Sequence, residues 1–353
     1  MIHFALLLSL VGMPAPEPPE DSSSAARAPV PVIFDTDLGN DVDDALALGL
    51  LHALADRREC ELLAVTTTKA HPLSAPFADA INAFYGRPDV PIGGVSVGGV
   101  LDGPTPEEGK FLKLAEAKND DGSLRFPHAL SHDPAEVPDA VPVLRRALVA
   151  AEDGSVAVVQ VGFSTNLARL LESPPDAVSP LNGRELAARK TRGLFVMAGA
   201  FATVSEDQSE PPKEYNVVKD RTAAAALAER WPTPIVWSGF EIGWALRYPA
   251  ASILNDYRYV DAHPLPESYQ IFIPTPHERP TWDLTAVLLA VRPDRGYLRL
   301  SEPGAVRVGE DGRTRFTPQP DGSHRIVLPV TDEERARVVA TFAALCSQPP
   351  RPR

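Results

Sequence analysis

Five aspartates fall within ten residues, Asp35-Thr36-Asp37-Leu38-Gly39-Asn40-Asp41-Val42-Asp43-Asp44, directly after the apolar run Pro31-Val32-Ile33-Phe34. The residues that follow, from Ala45 to Leu54, are apolar enough for a buried helix. An acidic segment of this kind belongs on a solvated surface, yet here it joins a buried strand to a buried helix. Crowded carboxylates raise one another's pKa unless a cation neutralises them. Hard oxygen donors at this density suit Ca2+ or Mg2+. The C-terminal end of a strand in an open α/β sheet is also where ligands usually bind.

The rest of the chain supports such a sheet. Strand-like runs at 30–35, 62–67, 90–93, 156–161, 193–198 and 234–238 alternate with helical patterns at 44–56, 75–85, 141–151, 166–171, 220–231 and 283–291. That alternation predicts an α/β fold, an open and mainly parallel sheet with helices on both faces and a Rossmann-type core. No composition shift divides the interior, so one domain is expected over residues 29–345, followed by a disordered tail at 346–353. The polar stretch 101–138 reads as an insertion or active-site loop. Asp311-Gly312 and Asp321-Gly322 are turn signals between β-like runs and predict a small β element at the domain edge.

Charge and cysteine content narrow the function classes. A net charge of −13 over 353 residues argues against a nucleic-acid backbone as partner. The two cysteines, Cys60 and Cys346, have no metal-ligand spacing. They are expected either to pair or to stay as buried thiols. Residues 4–13 are apolar but too short to span a bilayer, and fit the core of a secretory signal. Ala26-Arg27-Ala28 offers a cleavage site after a Pro-, Glu- and Ser-rich linker. Residues 1–28 are therefore expected to be a signal peptide and disordered linker, and the protein to be exported to a periplasmic or extracellular space. No later segment is long and apolar enough for a membrane span.

Several chemistries use Asp-x-Asp after a strand. A phosphotransferase of the haloacid-dehalogenase type continues with Gly-Thr, whereas Leu38-Gly39 follows here. An EF-hand would need its glycine at another offset and a closing glutamate. No Gly-rich phosphate loop is present. A metal-dependent N-glycoside hydrolase is a further reading.

Four segments in order make this last reading specific. The chain resembles the inosine-uridine-type nucleoside hydrolases, whose hallmark is Asp-x-Asp-x-Gly-x-Asp-Asp. Asp35-Thr36-Asp37-Leu38-Gly39 matches its left half and Asp43-Asp44-Ala45 its right half. Val161-Gly162-Phe163-Ser164-Thr165-Asn166 resembles the family's Gly-x-x-Thr-Asn turn. Met197-Ala198-Gly199-Ala200-Phe201 and Glu214-Tyr215-Asn216 resemble its Met-Gly-Gly and Glu-Phe-Asn stretches, and Thr281-Trp282-Asp283-Leu284-Thr285-Ala286 its late aspartate opening a helix.

The resemblance implies a Ca2+-dependent hydrolase that splits ribonucleosides into ribose and free base. It implies Ca2+ ligands at Asp37, Asp44, Asp283 and the carbonyl of Val161, with a metal-held water as nucleophile and Asp37 as its general base. Asp43, Glu214 and Asn216 would hold ribose hydroxyls, and Met197 would pack under the sugar. His71 stands where the family has a sugar-contacting asparagine; a solvated loop histidine is the plain alternative. Family members are commonly homodimers or homotetramers, so a small-molecule nucleoside and a second copy of the chain are the expected partners. Asp35 is expected to be structural, bonded to nearby backbone N–H groups, and Asn166 to serve a turn or helix cap.

Two departures stand out. The hallmark is two residues longer here, because Asn40-Asp41-Val42 separates Gly39 from the paired aspartates. Anchoring on the helix start gives Asp43 and Asp44 the paired roles and leaves Asp41 unexplained; counting from the strand would give Asp41 a role. The family's histidine before the late aspartate is Trp282 here. Tryptophan donates no catalytic proton, although it can stack on a base. Leaving-group chemistry is therefore expected to differ, with a Glu or His of the 101–138 loop (near Asn119-Asp120-Asp121-Gly122 or Pro127-His128) as one substitute. A ribose- or nucleoside-binding protein without turnover, a hydrolase of another riboside and a metal-dependent phosphohydrolase are the rival readings.

Overall fold

The computed structural model describes residues 28–96 and 109–351. The expected signal segment, up to residue 27, lies outside the described residues, as does part of the polar loop. Among the described residues nine strands form one sheet: β1 (Val30–Thr36), β2 (Cys60–Thr67), β3 (Ile92–Gly94), β4 (Val156–Gln160), β5 (Thr191–Met197), β6 (Ile235–Ser238), β7 (Gly304–Val308), β8 (Thr314–Pro318) and β9 (His324–Ile326). Their order is β3-β2-β1-β4-β5-β6-β9-β7-β8. Strands β1 to β6 and β9 pair in parallel, while β7 runs antiparallel to both neighbours. The two Asp-Gly turns do produce β structure. It extends the main sheet through β9 rather than standing apart, with Gly312 at φ 81° in the β7–β8 turn.

Both faces of the sheet are covered, which is why its central strands read as unbroken apolar runs. Val32 and Phe34 of β1 point into one core, and Ile33 between them into the other. Among the described residues the α-helices are α1 (Asp43–Asp56), α2 (Ser74–Phe84), α3 (Ala140–Ala150), α4 (Thr165–Glu172), α5 (Gly183–Lys190), α6 (Tyr215–Lys219), α7 (Arg221–Arg230), α8 (Phe240–Ala245), α9 (Ala250–Asn255), α10 (Pro264–Phe272), α11 (Asp283–Val291) and α12 (Asp332–Cys346). Helix α1 is buried almost all round, against β2, α11 and α12, which explains its weakly amphipathic sequence.

The expected tail, 346–353, is described as far as Arg351. Thr331 and Glu334 form a capping box that starts α12, and the helix runs to Cys346, which is buried. Beyond it, Gln348 accepts from the Arg57 guanidinium at 2.7 Å and the Arg351 amide donates to Asp56 at 3.0 Å. Cys60 and Cys346 are both free buried thiols, directed at the carbonyls of Leu51 and Leu46. Among the described residues no helix is long and apolar enough to cross a membrane.

Strand β1 lies between β2 and β4, so the chain departs from it to opposite sides of the sheet. Such a switch point opens a crevice at the carboxyl ends of the strands. The 35–44 segment sits at its mouth.

Candidate active site

The crevice is a cavity of about 340 Å³ that gathers residues from distant parts of the chain: Asp37, Asn40, Asp41, Asp43 and Asp44 after β1, Val161 after β4, Met197 at the end of β5, Glu214, Tyr215 and Asn216 around the start of α6, and Asp283 at the start of α11. Phe240, Phe272, Arg279 and Trp282 complete its wall. A second cavity of about 410 Å³, near Phe201 and β8, shares none of these residues.

Gly162 permits the close approach of the β4 turn to β1. A Cβ there would lie 2.4 Å from the Asp37 nitrogen and 2.7 Å from the Thr36 carbonyl carbon. Only glycine lets Val161 and Asp37 reach the same cavity. The turn is held further by Asn166, which donates to Asp35 at 2.9 Å and to the Thr67 carbonyl at 3.1 Å. Asp35 is thus structural, but its partners are the side chains of Asn166 and Thr66, not the backbone N–H groups expected. Burial pushes its carboxyl up to about 7.

Asp43 and Asp44 open α1, and with Asp283 they offer carboxylate oxygens within 4.8 Å of one another. Asp43 accepts from the backbone N–H groups of Trp282 (2.8 Å) and Asp283 (3.2 Å), tying α1 to α11. Asp44 accepts from the Thr36 hydroxyl. Asp37 lines the same cavity and accepts from the Asn40 amide, whose oxygen receives the ammonium of the buried Lys69. The expected metal set and this closest trio therefore share Asp44 and Asp283 and differ in placing Asp37 or Asp43 third.

Burial dominates the electrostatics. It raises Asp37 to about 6 against the opposing pull of Asn40 and Lys69, and raises Asp43 to about 8 with help from Asp41. Asp44 and Asp283 are driven well up by burial and then by their acidic neighbours. A cavity that disfavours its own ionised carboxylates this strongly fits a hard divalent cation, whose charge reverses the penalty.

Glu214 is taken up by the backbone. It caps α6, accepting from the amides of Asn216 (2.7 Å), Gly199 (3.0 Å) and Val217 (3.1 Å), and burial lifts it to about 7. Asn216 donates to the Val161 carbonyl at 2.7 Å and to the Met197 carbonyl at 3.1 Å. Thus Val161, Met197, Glu214 and Asn216 form one bonded unit on the cavity wall.

His71 is not among the residues lining the cavity. Its Nδ1 accepts from the Leu73 amide at 3.1 Å, and Gly109 packs beside it. The described part of the polar loop contributes no lining residue either. Asn119–Ser123 makes an exposed turn, and His128 faces His132, with 3.0 Å between their Nε2 atoms.

Trp282 does line the cavity. Its indole N–H donates to the Phe240 carbonyl at 2.7 Å and its ring lies 5.4 Å from that of Phe240. A Cβ on Gly243 would sit 2.2 Å from Trp282 Cδ1, so the glycine in α8 makes room for the indole. Sequence reasoning missed Arg279, Phe240, Phe272, Asn40 and Lys69. Arg279 bonds Asp41 through Nε and Nη2, so the extra carboxylate of the long hallmark is half of an ion pair across the cavity mouth.

Comparison with protein families places this geometry. The model of the inosine-uridine preferring nucleoside hydrolases matches residues 32–341. The chain belongs to that family. Its fold is shared by a plant nucleoside hydrolase (22% identity, TM-score 0.65, covering 91% of this chain and 100% of the other). It is also shared by the inosine-uridine preferring nucleoside hydrolase of Bacillus anthracis (19%, 0.67, 90% and 99%) and the purine-preferring ribonucleoside hydrolase of Gardnerella vaginalis (19%, 0.64, 90% and 99%). Comparison with curated protein sequences finds no match. Membership makes this nucleoside hydrolase an enzyme of N-ribosidic bonds, built on the α/β sheet its sequence predicts.

Proposed function

We propose that the protein hydrolyses the N-glycosidic bond of ribonucleosides with Ca2+ held in the carboxylate end of the cavity. The observation that carries this reading is the buried trio Asp43, Asp44 and Asp283 in one cavity with Asp37, Glu214 and Asn216. Asp44 and Asp283 would be the principal ligands, flanked by Asp37 and Asp43, with the Val161 carbonyl completing an all-oxygen set of the kind Ca2+ prefers. When bound, the cation supplies a polarised water of lowered pKa.

The protein's own groups do the rest. Asp37 takes the proton of the attacking water as general base. Asn40 holds its carboxylate from behind and is itself held by the Lys69 ammonium. Asn216 is fixed by its bonds to Val161 and Met197 and presents its remaining polar edge to ribose hydroxyls. Glu214 fixes the Gly199 and Asn216 backbone around the sugar. Cleavage passes through an oxocarbenium-like state. Positive charge then builds on the ring beside the carboxylates, which stabilise it without reorganising.

The test is a nucleoside panel, assayed for released ribose with and without chelator, for wild type and Asp37→Ala. Ribose release that needs Ca2+ and is lost in Asp37→Ala supports the reading. Calorimetric binding of ribose with no release from any nucleoside would make the chain a binder. Phosphate release from aryl phosphates would favour the phosphohydrolase. Export and self-association belong to the same proposal; N-terminal sequencing of secreted protein and its sedimentation mass test them.

A further inference from the structure

Arg279 is, among the described residues, the one cation lining the cavity, and no part of the metal or sugar chemistry uses it. Its guanidinium lies 5.2 Å from the Phe272 ring centre and 5.3 Å from that of Trp282. Its backbone is fixed at both ends: the amide donates to the Tyr269 hydroxyl and the carbonyl accepts from the Tyr248 amide, both at 2.8 Å. Asp41 occupies the Nε/Nη2 edge, at 3.0 and 3.1 Å from Nε. The Nη1 end makes no hydrogen bond among the described residues, and the side chain keeps 27% of its surface exposed. A guanidinium held on one edge and between two rings is preorganised, so little entropy is lost when its free edge engages a ligand.

The carboxylates line the same cavity and, on the reading above, take the sugar. The aglycone is left with the wall formed by Phe240, Phe272, Trp282 and Arg279. We propose that Arg279, positioned by Asp41, recognises a 6-oxopurine aglycone and stabilises its departure. This rests on the hydrolase reading above. The free end of the guanidinium presents two adjacent N–H donors, and a 6-oxopurine presents two adjacent acceptors, O6 and N7. A 6-aminopurine offers N7 but a donor at position 6, so one of the two bonds is lost and an N–H faces an N–H.

The same contact assists the chemistry. The C1′–N bond breaks with its electron pair passing to the base. Water oxygen bonds to C1′ and its proton goes to Asp37. The base leaves as an anion whose charge Arg279 meets with hydrogen bonds, and it then takes a proton from solvent; Asp37 returns its proton to solvent. No histidine before Asp283 is needed for this sequence.

A structural clamp would slow every substrate alike, so the test compares two leaving groups. Inosine needs its base stabilised, whereas p-nitrophenyl β-D-ribofuranoside expels a stable phenolate unaided. Arg279→Met is expected to lower kcat/KM for inosine by about 100-fold, the usual cost of one lost charge-stabilising donor. It is expected to lower that for the nitrophenyl riboside only about 3-fold. Arg279→Lys should recover part of the inosine loss. Wild type should prefer inosine to adenosine by about 10-fold or more, and Arg279→Met should level the two. Equal losses on both leaving groups, or an unchanged inosine-to-adenosine ratio, overturn the proposal. Calorimetric titration of inosine into wild type and Arg279→Met separates the two levels of inference. Arg279-dependent binding without hydrolysis upholds the recognition and sinks the hydrolase reading. Hydrolysis with Arg279-independent binding and leaving-group response does the reverse. Absence of both binding and hydrolysis sinks both.

Discussion

The two ends of the cavity are built on opposite principles. At one end, Asp37, Asp43, Asp44 and Asp283 are buried together with carboxyls pushed upward, so the fold contains a demand for positive charge that it does not itself meet. At the other, Asp41 and Arg279 neutralise each other between aromatic rings and leave donors over. On the function proposed above, the difference teaches that the cavity is polarised along the bond to be cut. It is electron-rich where the sugar becomes cationic and electron-poor where the base leaves with its electrons.

Removing one carboxylate attacks that polarity most directly. Asp44→Asn is expected to reduce ribose release by about a thousandfold or more, because both the cation and the developing charge lose a ligand-bearing anion. The same variant should melt at a higher temperature than wild type when both are chelated. It removes a buried like charge, and its amide oxygen can still accept from Thr36. Calorimetry with Ca2+ and a melting curve check the two halves. A chelated Asp44→Asn protein that is less stable than wild type would mean the acidic end is not self-repelling.

The pH dependence of stability sharpens the comparison next. In the metal-free chain Asp35, Asp37 and Asp43 sit at about 7, 6 and 8, above the unfolded value of about 3.9. Between about pH 4 and pH 8 the folded state therefore holds protons that the unfolded chain has released, and stability falls as pH rises. Each tenfold difference in proton affinity between the two states is worth about 1.4 kcal/mol, so the loss is on the order of several kcal/mol. Saturating Ca2+ should flatten the slope by favouring the ionised carboxylates. At 100 times its Kd it should add about 2.7 kcal/mol. Scanning calorimetry from pH 5 to pH 8, with and without Ca2+, measures both. Arg279→Met removes a positive charge that holds Asp43 down, so the fall should extend to higher pH.

The two ends also differ in how far they are legible in the sequence. The acidic end is written locally: an apolar strand, a run of aspartates and a helix start fix Asp37, Asp43 and Asp44 within eight residues, and Asp283 opens an equally apolar helix. The parallel sheet follows from six continuous apolar runs, since strands buried on both faces leave that trace. The aromatic end is assembled from α8, α10 and the loop before α11, separate pieces that no single motif joins. Arg279 finds Asp41 across 238 positions, a pairing no local pattern encodes. Helices α5 and α12 could have been found, because Asn182/Glu185 and Thr331/Glu334 are capping boxes in plain sequence. The expectation for His71 rests on family register alone, and a neighbouring backbone amide has its ring nitrogen.

The aromatic end also has a steric key. Gly243→Ala places a methyl 2.2 to 2.5 Å from the Trp282 ring and Cα. The cost is expected to be about 1–3 kcal/mol, measured from urea unfolding midpoints. Because the Trp282 backbone N–H donates to Asp43, the displacement should loosen Ca2+ binding measurably. If stability falls while Ca2+ affinity stays, the two ends are mechanically separate and only share a cavity.

The smallest effect is expected from Trp282→Phe. Phenylalanine keeps an aromatic face beside Phe240 and Arg279 but loses the 2.7 Å bond to the Phe240 carbonyl, worth about 1 kcal/mol. If Trp282 is a wall and not an acid, no proton passes through its indole, and kcat on inosine should change by less than about tenfold. A melting curve and a ribose-release assay on one preparation give both numbers. A loss approaching that of Asp44→Asn would place Trp282 among the groups that act on the reacting bond. The division into a charge-demanding end and a base-holding end would then have to be redrawn around the helix start that Trp282 and Asp283 share.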